Sequence, residues 1–253
     1  MRSRADRAAG PEQKISADGE LQAVLFDMDG LLVDSEPLWF EVECAVMARL
    51  GGTWSAADQQ ALVGGSLRHS VSYLLDRAAG PASAQEVARW LVGGMARLLA
   101  EREAAVLPGA AELYGQIRAA GIPCALVTSS ERIIMDAVLP GLAERGIRFE
   151  VTVCAADVRH PKPHPEPYQL AAARTGADPG WCAALEDSPN GVASAEAAGC
   201  ATVVVPSLLP IGERPGLLVA GSLAEIDLDL LRGLVAARRA ARQTGPRAVG
   251  RAP

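Results

Sequence analysis

Short apolar runs that end in polar or acidic residues recur along the chain, and they set its reading. The first is Ala23-Val24-Leu25-Phe26, followed at once by Asp27. Four apolar residues without alternation predict a strand covered on both faces. Comparable runs at 123–127, 150–154, 182–185 and 201–205 predict four more strands. Between them the apolar spacing changes to a helical period, over 110–120, 131–139, 165–175 and 190–198. Gly121, Gly176 and Gly199 fall where those helices should end, as C-terminal glycines do. Strands alternating with helices imply βαβ units and a parallel sheet.

The first interval breaks this rhythm. Between the strand at 23–26 and that at 123–127 the pattern shows no clear strand, but three helical stretches at 36–50, 67–79 and 84–103. Leu38, Val42, Ala45, Val46 and Leu50 make one expected face of the first. The expected fold is therefore α/β: a Rossmann-like parallel sheet core with an inserted all-helical cap domain. Residues 21–35 and 108–233 are assigned to the core and 36–107 to the cap. Residues 1–20 are expected to form a disordered arm, and 234–253, reached through a last helix over about 223–242, a basic tail. Trp39, Phe40, Trp54, Tyr73 and Trp90 concentrate half of the ten aromatics in the cap, where packing of a helical bundle explains them.

Composition narrows the function. A 49% hydrophobic content supports a packed core, and a net charge of −6 argues against a nucleic-acid binder. No run of 18 apolar residues suggests a membrane span, and the arm lacks the apolar stretch of a signal peptide. Cys44, Cys124, Cys154, Cys182 and Cys200 are odd in number and widely spaced, which suggests reduced thiols in a cytoplasmic protein. A monomer is the simplest expectation. Lys14 and Lys162 are the only lysines among 24 basic residues, so a lysine kept where arginine is otherwise usual is informative.

Chemistry gathers at predicted strand ends. Phe26-Asp27-Met28-Asp29-Gly30 puts two carboxylates two residues apart after the first strand, where open α/β sheets bind ligands. Val127-Thr128-Ser129-Ser130 puts hydroxyls after the second, and Ser129 or Ser130 is placed to cap the next helix. Lys162 lies between Pro161 and Pro163 after the third, and Glu186-Asp187-Ser188 comes after the fourth. Each station alone has an ordinary structural reading; four converging on one sheet edge do not.

Taken together, these segments resemble the haloacid dehalogenase-like hydrolases, in the branch with a helical cap. The resemblance spans about residues 21–233 and rests on the motifs at 26–35, 127–129, 162–163 and 186–191. It implies a Mg²⁺-dependent phosphatase acting on a small phosphorylated metabolite. Asp27 would be the nucleophile, Asp29 the general acid and then base, and Lys162 the bridge between nucleophile and phosphate. Thr128 and Ser129 would bind phosphoryl oxygens. Mg²⁺ would be held by Asp27, the backbone carbonyl of Asp29, and Asp187, with Glu186 assisting. Pro161 departs from the glycine usual before the lysine, and Asp34 and Ser35 are expected to be structural or hinge residues. Asn190 and Gly191 are expected to shape the turn into the next helix.

Two other readings remain. A sugar-phosphate phosphomutase would carry a hinge histidine where Trp39 stands and a base in the cap loop, which reads Leu62-Val63-Gly64-Gly65-Ser66-Leu67 with no base before Arg68. A non-catalytic binding module on the same fold would be expected to lose one of Asp27, Asp29, Lys162 or Asp187, and all four are present.

Overall fold

The computed structural model describes residues 21–212, 214 and 217–244; the expected arm at 1–20 and the tail beyond 244 lie outside the described residues. Six strands form one parallel sheet: β1 (Ala23–Phe26), β4 (Cys124–Val127), β5 (Val151–Val153), β6 (Cys182–Glu186), β7 (Ala201–Val204) and β8 (Leu218–Val219). Their order is β5-β4-β1-β6-β7-β8, so β1 is central. The chain builds outward from it on one side, then returns to the other. Phe26 is level with Leu126 and with Leu185, which brings Asp27 to the same height as Val127 and Glu186.

Every residue of β1 is buried, because helices cover both faces of the sheet. Val24 and Phe26 face a core that runs through α5 (Ala110–Ala119) and α9 (Leu228–Thr244) and continues into the cap. Ala23 and Leu25 face a smaller core against α7 (Glu166–Thr175) and α8 (Pro189–Ala198). This two-residue alternation is the strand period.

The cap comprises α1 (Glu36–Arg49), α2 (Ala56–Gln60), α3 (Leu67–Leu75) and α4 (Ala84–Glu101). It hangs from a two-stranded antiparallel ribbon, β2 (Val33–Asp34) paired with β3 (Ala105–Val106). These two-residue strands, like β8, are too short to leave a periodic signal. In α1, Leu38, Val42, Val46 and Leu50 are buried as expected, but Ala45 is exposed and Met47 and Glu43 take its place on the covered side.

Two helix bounds differ from the sequence reading. The helix α6 (Arg132–Glu144) continues through Pro140 instead of stopping before it. Burial of Leu142 offsets the backbone hydrogen bond that the proline cannot make. The last helix starts at Leu228, where Asp227 Oδ1 accepts the Leu230 N–H at 2.8 Å, and a separate turn of 3-10 helix occupies Leu223–Glu225. Residues 234–244, expected as the start of a tail, continue α9. Leu231 and Val235 bury its inner stripe, while Arg238 reaches the Glu196 carbonyl and Arg239 covers the Trp181 ring. Among the described residues, no helix is long and apolar enough to cross a membrane, and the five cysteines are free thiols.

Candidate active site

All four predicted stations meet at the C-terminal edge of the sheet. Asp27 leaves β1 with its N–H bonded to Leu185 O, 3.0 Å away on the neighbouring strand. Lys162 enters from the loop after β5. Its ammonium lies 2.5 Å from Asp27 Oδ1, 2.6 Å from Glu186 Oε1 and 2.8 Å from Val127 O. The loop is braced from behind: Glu166 accepts the Arg159 and His160 N–H groups, and His164 O accepts the Ser194 hydroxyl.

Asp27, Glu186 and Asp187 form one buried carboxylate cluster, with ligating oxygens within 4.8 Å of one another. Burial pushes the Asp27 carboxyl well above its ordinary range; Lys162 opposes this, while Glu186 and Asp187 add to it. Burial and then Glu186 do the same to Asp187. Lys162 is held firmly in its charged form: burial disfavours the charge, but Asp27 and Glu186 outweigh it. Three buried carboxyl groups converge beside one lysine, and the donors are all oxygen. Such a set fits a hard divalent cation such as Mg²⁺, which Asp27 and Asp187 could hold. Glu186 is already engaged by Lys162, Tyr168 (2.5 Å), Ser188 and the Asp187 N–H, so its main contribution is to position them.

Asp29 stands apart from that cluster. Its side chain is turned into a set of hydroxyls: Ser35 donates to Oδ1 at 2.6 Å, and Ser130 and Thr128 donate to Oδ2 at 2.8 and 3.2 Å. Just beyond Asp29 the chain turns sharply at Gly30, with φ of +77°. A Cβ there would also stand 2.2 Å from Asp187 Oδ2, so only glycine fits.

Sequence reasoning locates Asp27, Asp29, Thr128, Lys162, Glu186 and Asp187 on this edge, and the structure brings them together. Ser129 lines the same cleft but caps no helix; α6 starts after Glu131, and Ser130 serves Asp29 instead. Ser35, expected to be structural, reaches Asp29 directly. Tyr168 and Ser207, which donates to Asp187 Oδ2 at 2.6 Å, carry no motif that marks them. Asn190, expected to shape a turn, donates to the carbonyl of Gly64 in the cap loop at 3.1 Å, and so ties cap to core.

The cleft between cap and core measures about 830 Å³, part of it open to solvent. Its floor is Asp27, Asp29, Thr128, Lys162 and Asp187; Trp39, Glu36, Glu43 and Gln59 line it from the cap side. Arg68 is exposed and does not line it.

The model for haloacid dehalogenase-like hydrolases matches residues 21–199. The chain belongs to that family. This hydrolase is 32% identical over 225 residues to hexitol phosphatase B of Escherichia coli, covering 88% of this chain and 98% of the relative. It is 31% identical over 187 residues to a probable pseudouridine-5'-phosphatase of Drosophila melanogaster, covering 72% and 80%. Its fold matches a crystal structure of a mutant CbbY from Rhodobacter sphaeroides in complex with xylulose-(1,5)bisphosphate. The TM-score is 0.75 and the identity 28%, over 84% of this chain and 99% of that one. The hydrolase is a phosphomonoester hydrolase of small phosphorylated metabolites.

Proposed function

We propose that the hydrolase works in two steps, with Mg²⁺, through an aspartyl-phosphate on Asp27. The observation that carries this reading is the division of the two acids. Asp27 is paired with Lys162 in the carboxylate cluster, while Asp29 is oriented separately by three hydroxyls. The two roles need two separately oriented carboxyl groups, one against the phosphoryl group and one at the leaving oxygen.

An Asp27 oxygen attacks phosphorus, and the bond from phosphorus to the substrate's ester oxygen breaks. Asp29 delivers its proton to that leaving oxygen. A water then gives a proton back to Asp29 and attacks the same phosphorus. The bond to Asp27 breaks and inorganic phosphate leaves. Thr128 and Ser129 bind the phosphoryl oxygens, and Lys162 neutralises charge between them and Asp27. Asp27 and Asp187 would hold a divalent cation, which would supply positive charge to balance the phosphoryl oxygens beside the three buried carboxyl groups.

Transfer to water, not to a second sugar hydroxyl, is supported by Trp39 lining the cleft where a mutase would hold a histidine, and by the exposure of Arg68. Likeness to a hexitol phosphatase supports a sugar or polyol phosphate as substrate. The reading is tested with a panel of phosphomonoesters and Mg²⁺, comparing the wild type with Asp27→Asn. Phosphate release by the wild type and a loss to below a few per cent in the variant are expected. Undiminished turnover by the variant would remove Asp27 as nucleophile.

A further inference from the structure

Two of the chain's three histidines fall in one short segment, His160-Pro161-Lys162-Pro163-His164-Pro165-Glu166. Lys162 is buried and reaches Asp27, while the histidines two residues before and two residues after it are exposed on the outer side of the loop. There they meet Glu166, at the start of α7. His160 Nδ1 lies 2.8 Å from Glu166 Oε2, His164 Nδ1 lies 4.0 Å from the same oxygen, and the two ring centroids are 4.6 Å apart. One ligating atom from each of the three side chains falls within 4.8 Å of the others. The phosphatase chemistry uses none of these side chains. The carboxylate is set in place by the backbone, since the Arg159 N–H donates to Oε1 at 2.8 Å and the His160 N–H to Oε2 at 3.1 Å. The Arg159 bond, and then the His160 ring, hold its pKa below the ordinary range, so it is anionic at neutral pH. Pro161 and Pro163 restrict the backbone between the two rings.

We propose that His160, His164 and Glu166 form a second metal site, on the outer face of the Lys162 loop, for a divalent ion of the zinc class. Two imidazoles and one carboxylate are a zinc donor set. The carboxyl groups beside Asp27 offer oxygen alone and suit Mg²⁺, so the two sites take different ions. Tetrahedral ligands about 2.0–2.1 Å from zinc stand roughly 3.3 Å from one another. The spacings of 2.8 and 4.0 Å lie on either side of that value, and rotation of the two exposed rings closes the difference. The backbone bonds to Glu166 act as the outer partners that orient a metal ligand. The hydrogen that His160 Nδ1 shares with Glu166 moves to Nε2 of the same ring, which frees Nδ1 for the ion. His164 Nδ1 accepts the Glu166 N–H at 3.2 Å in the metal-free site and turns its lone pair to the ion instead. The N–H so released belongs to the first turn of α7 and is left to water. Water fills the fourth position. The ion joins both sides of Lys162 to the first turn of α7, and so fastens the loop without entering the reaction.

The test uses the full chain, stripped of metal with a chelator and then kept in millimolar Mg²⁺ so that the carboxylate cluster is occupied. Zn²⁺ is titrated in by calorimetry, and melting is followed with and without it. One equivalent of Zn²⁺ should bind the wild type and raise its melting temperature by roughly 5–10 °C at a hundredfold excess over Kd. His160→Ala and His164→Ala should each weaken Zn²⁺ binding at least about tenfold, the loss that follows from removing even an outer partner of a metal ligand. The double variant should show neither the binding heat nor the melting shift. Both rings are exposed, so without Zn²⁺ the double variant should melt with the wild type, which separates loss of the site from loss of the fold. Failure of the Mg²⁺-loaded wild type to bind Zn²⁺, or equal binding by the double variant, would overturn the site. Neither readout uses turnover, so the proposal stands or falls apart from the phosphatase mechanism.

Discussion

Lys162 Nζ lies 2.6 Å from Glu186 Oε1, and that same oxygen accepts the Tyr168 hydroxyl at 2.5 Å. The lysine is therefore aimed at Asp27 by an acid that is itself immobilised, 24 residues further along the chain. Its three acceptors, Asp27, Glu186 and Val127 O, surround a compact ammonium with three donors.

That enclosure predicts the effect of Lys162→Arg. A planar guanidinium is wider and cannot direct its donors at three converging oxygens. In a chain that uses arginine almost everywhere else, the change would be harmless at a surface site. We expect kcat/KM to fall about tenfold or more, corresponding to about 1.4 kcal/mol of transition-state stabilisation. Wild-type kinetics in this variant would mean that the ammonium does not contact the reacting phosphoryl group.

The hydroxyls around Asp29 make a second prediction. Ser35→Ala removes the 2.6 Å donor to Oδ1 but leaves Ser130 and Thr128 on Oδ2. Asp29 then loses one of the bonds that orient it. If Asp29 transfers the proton, kcat should fall about tenfold with KM little changed, and the loss should be smaller for a substrate such as p-nitrophenyl phosphate, whose leaving group hardly needs a proton. Equal losses on good and poor leaving groups would assign Ser35 to folding alone.

The cap loop supplies a third. Gly64 has φ of +66°, and a Cβ there would stand 2.4 Å from Ser188 Cβ. Its carbonyl also receives the Asn190 bond. In Gly64→Ala the left-handed conformation costs about 1–2 kcal/mol, and the loop must lift from the core. Turnover of a sugar phosphate should drop at least about tenfold while the melting temperature falls by only a few degrees. Unaltered kinetics would show that this contact is not needed for the closed cleft.

A fourth concerns pH and stability. Burial, partly opposed by the Trp54 bond, raises the Glu43 pKa from 4.5 to about 8. The folded state therefore holds this proton more tightly than the unfolded chain. Below pH 4.5 the group costs nothing by ionisation; from there to about pH 8 the unfolded state gains stability by releasing a proton that the folded state keeps. Glu43→Gln has no such dependence. Its melting temperature relative to wild type should rise steadily between about pH 5 and pH 8, and parallel curves would show that Glu43 ionises freely in the fold.

Local pattern and chain order are enough to place the sheet and most of the reacting groups. Runs such as Ala23–Phe26 have one stable use, a strand covered on both faces, and a parallel sheet sets the residues after each strand on a common edge. Asp27, Thr128, Lys162 and Asp187 are legible for that reason. The same pattern does not reach groups whose role depends on a partner distant in the chain. Ser130 reads as a helix cap, and only the approach of β4 to β1 turns it toward Asp29. Tyr168 looks like any core aromatic until α7 packs beneath Glu186. Glu43 is the clearest case. Helical periodicity favours Ala45 on the buried side of α1, and nothing nearby in the chain sets Glu43 apart from an exposed acid. Trp54, eleven residues on, and the closure of the cap over the sheet decide its burial, because the charge of a side chain is written in the sequence but its access to water is set by the groups that pack around it.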